Sequence, residues 1–321
     1  MSNIEVIGLG ALNLDRVYLV ERILSDGEAL ATQVTLAPGG SAANTIYGLA
    51  RLEVSTGFVG AIGDDREGGT LLCDLSRVRV DTRQIKVKKR TETGSTLCIT
   101  DREGKRAIYV HPGANSLLTC EDIDLAYISQ AHILHLSSFV DEQQLTLQKE
   151  LVARIPPPVK VSFAPGSLYA VKGIAALEPI ISRSYIIFLN SDEVKLLTGK
   201  DFRQGARELH AYGCHIVVVT LGAGIMVSQK MATAFVAAEQ GEYLIEARGR
   251  RSGIKGDTVG AGDAFAAGFL YGLIQGKPPK ECGYLGAIVG RFCTTKIGAR
   301  AGLPTLSKLI RRYREERGLT L

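Results

Sequence analysis

The sequence predicts an α/β fold in which a mostly parallel sheet is covered by helices on both faces and a small second β-sheet stands apart. Short apolar runs recur at residues 4–9, 56–62, 133–136, 159–163, 185–189 and 216–220, with helix-like segments between the later ones. Strands that are apolar on both faces belong in a parallel sheet enclosed by helices. Two strand-like pairs, 17–20 with 29–36 and 96–100 with 106–110, flank the turn signals Ser25–Glu28 and Asp101–Lys105 and stand outside that series. Last, a glycine-rich loop at Thr258–Gly262 opens directly onto an apolar helix. Such a loop aims backbone N–H groups and the positive end of a helix dipole at one spot.

With 321 residues, 45% hydrophobic and 22% charged, the chain has the apolar material for one large core. Residues 1–321 read as one α/β domain whose small sheet comes from about 13–37 and 88–113. The net charge of +5 is mild and no Lys/Arg run interleaves with aromatics, so no nucleic-acid partner is expected, while an anionic nucleotide suits the same balance. No apolar run approaches the roughly 20 residues that span a bilayer, and no membrane partner is expected. The six cysteines (73, 98, 120, 214, 282, 293) form no C-x-x-C pair, and no charged-then-apolar leader opens the chain. Free thiols in a reducing cytoplasm are the expectation. Cys98 and Cys293 read as small apolar fillers. The five histidines lack metal-ligand spacing, and His132 and His135, which flank a predicted strand, read as structural.

In chain order, the first strand (4–9) is closed by Gly8 and Gly10. Asn13 and Asp15 follow just past its end, where ligands of open α/β sheets bind; taken alone, they equally make a turn-stabilising Asx pair. Pro38-Gly39-Gly40-Ser41 reads as a turn into a helix carrying Ala42, Ala43, Ile46, Leu49 and Ala50, with Asn44 one turn inside. After the strand at 56–62 come Gly63-Asp64-Asp65 and a helix from about Gly68 to Arg77. Pro156-Pro157-Pro158 is a stiff connector, and Leu306–Arg317 an amphipathic, basic helix with a solvated outer face. Asn190 and Glu193, three apart after the strand 185–189, share a face of a starting helix and by themselves make a helix cap. Thr220-Leu221-Gly222-Ala223-Gly224 closes the strand 216–220 and by itself is a turn. A carboxylate at Asp263, on the anion-binding loop, would repel phosphate unless it accepted the proton of an attacking hydroxyl.

Several motifs together carry more than each does alone. D-T-x-G-A-G-D-A-F at 257–265 resembles the second signature of the ribokinase-like (PfkB) carbohydrate kinases, and P-G-G-S-A-A-N at 38–44 resembles the first. Gly63-Asp64-Asp65, the N-x-x-E of Asn190–Glu193, Thr220–Gly224 and Thr295–Ala299 are similar to further family segments, in the family's order from Gly8 to about Pro304. In the Thr220 segment the second glycine falls one position early. There is no Walker pattern. The resemblance implies a three-layer α/β/α sandwich with a β lid that closes over the sugar and forms a homodimer contact. It implies transfer of the γ-phosphoryl group of ATP to a hydroxyl, a primary CH₂OH by preference, of a small sugar such as ribose or fructose. Asp263 then serves as general base, and the amides of Gly260, Ala261 and Gly262 stabilise the phosphoryl charge. Asn13, Asp15, Gly39, Gly40 and Asn44 hold sugar hydroxyls. Asn190, Thr220, Gly222, Gly224, Thr258 and Gly298 bind ATP, and Glu193 orders Mg²⁺ through water. Asp257, with carbonyls near Val259, Cys293, Lys296 and Gly298, is implied as a K⁺ site.

Departures from the pattern leave the acceptor open. Ser162–Ser167 replaces the D-x-N-x-R of many ketodeoxygluconate kinases, so an acidic sugar is disfavoured, and Leu136-Ser137-Ser138-Phe139 stands where ribokinases commonly place a Glu. A nucleoside kinase of the same family is the alternative, with Tyr109, Phe139 and Tyr169 as candidate walls for a base. A non-catalytic sugar- or nucleotide-binding protein is the second alternative, against which the intact Asp263 and its loop argue.

Overall fold

The computed structural model describes residues 4–103, 106–227, 230–246 and 258–318. The chain begins with β1 (Val6–Leu9), β2 (Asn13–Val20) and β3 (Ala31–Gly39), then α1 (Ser41–Arg51), β4 (Thr56–Gly63), α2 (Arg66–Arg77), β5 (Asp81–Lys88), β6 (Gly94–Thr100) and β7 (Arg106–His111). Short 3₁₀ turns and α3 (Leu125–Ile128) lead to β8 (Ile133–Ser137), α4 (Glu142–Arg154), β9 (Lys160–Ala164), α5 (Gly166–Ala170) and α6 (Ile174–Ile181). There follow β10 (Ser184–Asn190), α7 (Ser191–Thr198), α8 (Phe202–Ala211), β11 (Ile216–Val227), β12 (Lys230–Ala238) and β13 (Gly241–Glu246), and finally α9 (Ala261–Ile274), α10 (Pro279–Cys293) and α11 (Leu306–Arg317).

Among the described residues, one large sheet has the order β13-β12-β11-β10-β9-β8-β1-β4-β5. It is parallel from β11 to β5 and antiparallel across β11, β12 and β13. Successive strand residues enter opposite layers, as the two-residue period requires. Ile186, Phe188, Ile216 and Val218 pack with Ile46, Leu71, Phe269 and Leu285 on one face. Ile187, Leu189, Val217 and Val219 pack with Leu145, Leu177, Val194 and Leu209 on the other. The result is an α/β/α sandwich. Helix α9 is apolar nearly all round and is buried from Ala264 to Gly272, which fixes its N-terminus firmly in the molecule.

The small sheet has the order β3-β2-β6-β7. Its pairings are antiparallel except for β2 and β6, which run parallel, so it is mixed. It joins the sandwich where β3 runs into α1.

The elements depart from expectation in three places. Strands β5, β12 and β13 were not expected, and Lys88, expected to open the small sheet, ends β5 of the large one. Asn13 and Asp15 open β2 instead of lying in a loop after β1, and Pro38 and Gly39 close β3, so the turn narrows to Gly40. Thr220–Gly224 lies within β11, as a bulge against β12 between Thr220 and Ile225. Helix α11 agrees with expectation: it buries Leu309 and Tyr313 and turns its other side outward.

Candidate active site

The first turn of α9 carries the candidate base. Gly260 caps it at φ 75° and Ala264 N–H closes the first helical bond onto the Gly260 carbonyl at 2.8 Å. The N–H groups of Gly262 and Asp263 fall in the first turn, which has no intrahelical acceptors for them. Asp263 is held from α1: Ser41 Oγ donates to Oδ1 at 2.7 Å and Asn44 Nδ2 donates to Oδ2 at 2.9 Å, while Thr45 Oγ1 donates to the Asp263 carbonyl at 3.3 Å. Burial raises the Asp263 carboxyl above the usual carboxylate range, and the Asn44 and Ser41 hydrogen bonds and the charge of Arg300 oppose that rise. The first turn of α1 therefore delivers two donors to a carboxylate some 220 residues later in the chain.

The second cluster lies on the small sheet. Asp15, Thr96 and Ala37 are register partners on one face, and Thr96 Oγ1 donates to Asp15 Oδ1 at 2.7 Å. Gly39 sits so close to Asp15 that a Cβ there would overlap the carboxylate; the residue is glycine because the acid occupies its side-chain space. Gly40, at φ 96°, is the N-cap of α1. Asn13 is buried and its Oδ1 accepts from Asn115 Nδ2 at 2.9 Å, so much of its bonding is internal. Gly63-Asp64-Asp65 is a junction: Asp65 caps α2 by accepting from Gly68 N–H at 2.8 Å and takes Thr93 N–H at 2.6 Å.

The third cluster follows β10. Asn190 and Glu193 form a reciprocal capping box, Glu193 N–H donating to Asn190 Oδ1 at 2.8 Å and Asn190 N–H to Glu193 Oε2 at 2.9 Å. Burial raises the Glu193 carboxyl; the Asn190 N–H opposes this and the charge of Asp263 adds to it, which ties this end of α7 to the candidate base electrostatically. Thr220 pairs with Asn190 on the neighbouring strand. Gly222 and Gly224, at φ 56° and 94°, form the bulge of β11. Thr258 is exposed, and its carbonyl accepts from Ala261 N–H at 3.2 Å. Cys293 Sγ lies 3.6 Å from the Val259 carbonyl and 3.3 Å from that of Ala299, so the loop through exposed Lys296 and buried Gly298 packs beside Gly260. Asp257 lies outside the described residues. Among the described residues, no group of three or more His, Cys, Asp or Glu side chains is arranged for a metal, and no helix is long and apolar enough to cross a membrane.

Two of the three aromatic candidates do not line an open pocket. Phe139 and Tyr169 are 2% and 0% exposed, core residues beneath the strand ends. Tyr109 pairs with Leu97, one residue beyond the Thr96–Val110 pair, and so faces away from Asp15.

One residue of the site was not anticipated. Arg300, just after the Gly298-Ala299 segment, is 8% exposed and spreads its guanidinium over three partners. Nε donates to Asn44 Oδ1 at 2.9 Å, Nη1 to Asp74 Oδ2 at 2.6 Å and Nη2 to the Gly39 carbonyl at 3.0 Å. Its partners lie 226 to 261 positions away in sequence, so no local spacing marks it.

Residues 1–306 match the profile of the pfkB family carbohydrate kinases. The chain belongs to that family. It is 35% identical over 261 residues to an uncharacterized sugar kinase of Archaeoglobus fulgidus, a match covering 80% of this chain and 98% of the relative. It is 30% identical to a cytidine kinase of Thermococcus kodakarensis over 92% of this chain and 98% of that one. Among solved structures, the ribokinase of Thermotoga maritima superposes with a TM-score of 0.81 at 23% identity, covering 95% of this chain and 98% of its own. The protein is thus a pfkB-family, ATP-dependent carbohydrate kinase with the ribokinase-like fold.

Proposed function

We propose that this kinase transfers the γ-phosphoryl group of Mg-ATP to a hydroxyl, preferably a primary CH₂OH, of a small free sugar such as ribose or fructose. The observation that carries this reading is the carboxylate of Asp263, held by Ser41 and Asn44 at the open N-terminus of α9. A base there stands beside N–H groups suited to phosphoryl oxygens. Asp263 accepts the hydroxyl proton while the Gly260–Gly262 turn receives charge developing on the phosphoryl group. Asp15, an acceptor for two hydroxyls, binds the sugar with the free amide side of Asn13, the Gly39–Gly40 backbone and Asn44. Thr258, Gly298, Asn190, Thr220 and the Gly222–Gly224 bulge border the nucleotide.

The Glu193 carboxylate fits a hydrated Mg²⁺: one oxygen is committed to Asn190 N–H and the other is left for a water. The cation would neutralise phosphate charge. The K⁺ reading rests on the carbonyls of Val259, Cys293, Lys296 and Gly298 and on Asp257. The small sheet serves as lid. Its face beside Asp15 carries Val17, Thr96, Cys98 and Val110, none of them a ring for stacking a base, which favours a sugar over a nucleoside. Its other face exposes Val34, Leu36, Leu97 and Tyr109, which favours a homodimer through the lid in a cytoplasmic enzyme.

The test is a coupled ADP-release assay with Mg-ATP against ribose, fructose, ketodeoxygluconate, adenosine, inosine and cytidine, with and without K⁺. Turnover of a free sugar supports the reading. A nucleoside as best acceptor replaces it with a nucleoside kinase, and no turnover on any of the six returns the non-catalytic binding protein.

A further inference from the structure

We infer that Arg300 is a positioning residue for phosphoryl transfer, fixing the Asn44 amide toward Asp263 and locking the end of the lid strand to the same point. The inference rests on the reading of Asp263 as base. An amide can present either its oxygen or its nitrogen to a carboxylate, and only the nitrogen is favourable. Arg300 removes the choice: its Nε donates to Asn44 Oδ1, so Nδ2 is the atom left for Asp263 Oδ2. The same guanidinium donates to the carbonyl of Gly39, the last residue of β3, whose side-chain position the Asp15 carboxylate fills. One planar group therefore registers the acceptor-binding acid and the catalytic acid against each other. A fork with three fixed donor directions is needed for this, and lysine has none.

Burial of a cation at this point is supported by its surroundings. Asp74 of α2 pairs with Nη1 at 2.6 Å and the Tyr47 ring lies 5.2 Å from the guanidinium carbon. The charge of Arg300 acts on Asp263 and favours its ionised form, and Asp263 in turn raises the Glu193 carboxyl of α7. Asp74, Asp15 and Tyr47 act in turn on Arg300. Loss of the arginine charge therefore moves the acidic limb of the rate profile to higher pH.

The test compares Arg300→Lys, Arg300→Gln, Asn44→Ala and the double variant Asn44→Ala/Arg300→Lys, with Asp263→Asn as reference, on whichever acceptor the panel identifies. Arg300→Lys is expected to lose about tenfold or more in kcat, with the KM for Mg-ATP within about twofold of wild type and an unchanged acidic limb. Arg300→Gln is expected to lose at least as much and to shift that limb upward. In the Asn44→Ala background Arg300→Lys should cost clearly less than it does in wild type, because part of the arginine's effect passes through that amide and only the Gly39 contact is left to lose. Wild-type kcat in Arg300→Lys, or losses that multiply independently in the double variant, overturn the inference even where Arg300→Gln does not fold. Persistent turnover in Asp263→Asn instead removes the base reading, so the two failures are told apart.

Discussion

Gly260 and Ala299 are packed so tightly that a Cβ on Gly260 would lie 2.7 Å from the Ala299 Cα and closer still to its Cβ. Two loops some forty residues apart thus fix the entry to α9. Gly260 also sits at φ 75°, where a side chain is strained. Gly260→Ala should displace the first turn of α9, lowering kcat at least tenfold and stability by about 1–3 kcal/mol. Gly262 is the contrast: a Cβ there meets nothing within 4 Å. Gly262→Ala should hold or raise stability by at most about 1 kcal/mol, yet reduce kcat if, as proposed, the phosphoryl group approaches through that empty space. Thermal melts and steady-state kinetics on both variants check this; equal activity in Gly262→Ala and wild type would remove the loop from phosphoryl contact.

Asp263 gives a pH prediction with a definite sign. Burial raises its pKa above the ordinary carboxylate value, so kcat/KM should fall as pH drops through a limb lying above the usual carboxylate range, while the alkaline side of that limb stays flat. With Asp263 as the proposed base, Asp263→Asn should reduce kcat about 10²–10⁴-fold, with ATP binding by calorimetry largely retained. Near-wild-type turnover in that variant would exclude Asp263 as base.

What the sequence revealed and what it concealed follow from how far each signal reaches along the chain. The buried strands were legible because each is a self-contained apolar run, such as Ile216–Thr220. Asp263 was legible because loop, acid and helix are contiguous. Strand β5 was not, since Asp81–Lys88 is an edge strand with one fully buried residue, Ile85, among polar ones. Gly39 looked like a turn because its local signal is glycine, whereas its reason is the Asp15 carboxylate, 24 residues earlier and adjacent only after β2 and β3 pair. Arg300 had no signal at all: a single basic residue acquires a role only when Asn44, Asp74 and Gly39 converge on it. Phe139 and Tyr169 misled in the opposite sense, since aromatic type says nothing about which side of a strand end a ring falls on.

Glu193 combines the helix cap with the proposed cation role. Glutamine at the third helical position preserves a capping box, so Glu193→Gln should leave the melting temperature within a few degrees of wild type. The cation role needs the charge, and the Mg²⁺ concentration for half-maximal rate should rise about tenfold. A Mg²⁺ titration at fixed ATP, together with a thermal melt, reads both effects. Unchanged Mg²⁺ dependence would leave Glu193 as a cap alone.

His135 supplies a stability prediction independent of catalysis. It is fully buried in β8, its Nδ1 is 2.9 Å from Ser162 Oγ, and its Nε2 has no hydrogen-bond partner. Burial pushes its pKa down to about 3, so the folded protein keeps the ring neutral while the unfolded chain takes up a proton near pH 6.5. Below pH 6.5 the unfolded state therefore binds more protons, and stability falls with falling pH until about pH 3. Between pH 7.5 and 5 this one group should remove about 2 kcal/mol from the unfolding free energy. His135→Asn, which keeps a polar atom for Ser162, will be less stable at every pH because it leaves a void. That offset cancels when the two pH values are subtracted, and the pH-dependent loss should shrink by about 2 kcal/mol. Urea unfolding of both proteins at pH 7.5 and 5 measures the difference; an identical pH dependence would mean that His135 is protonated in the folded protein.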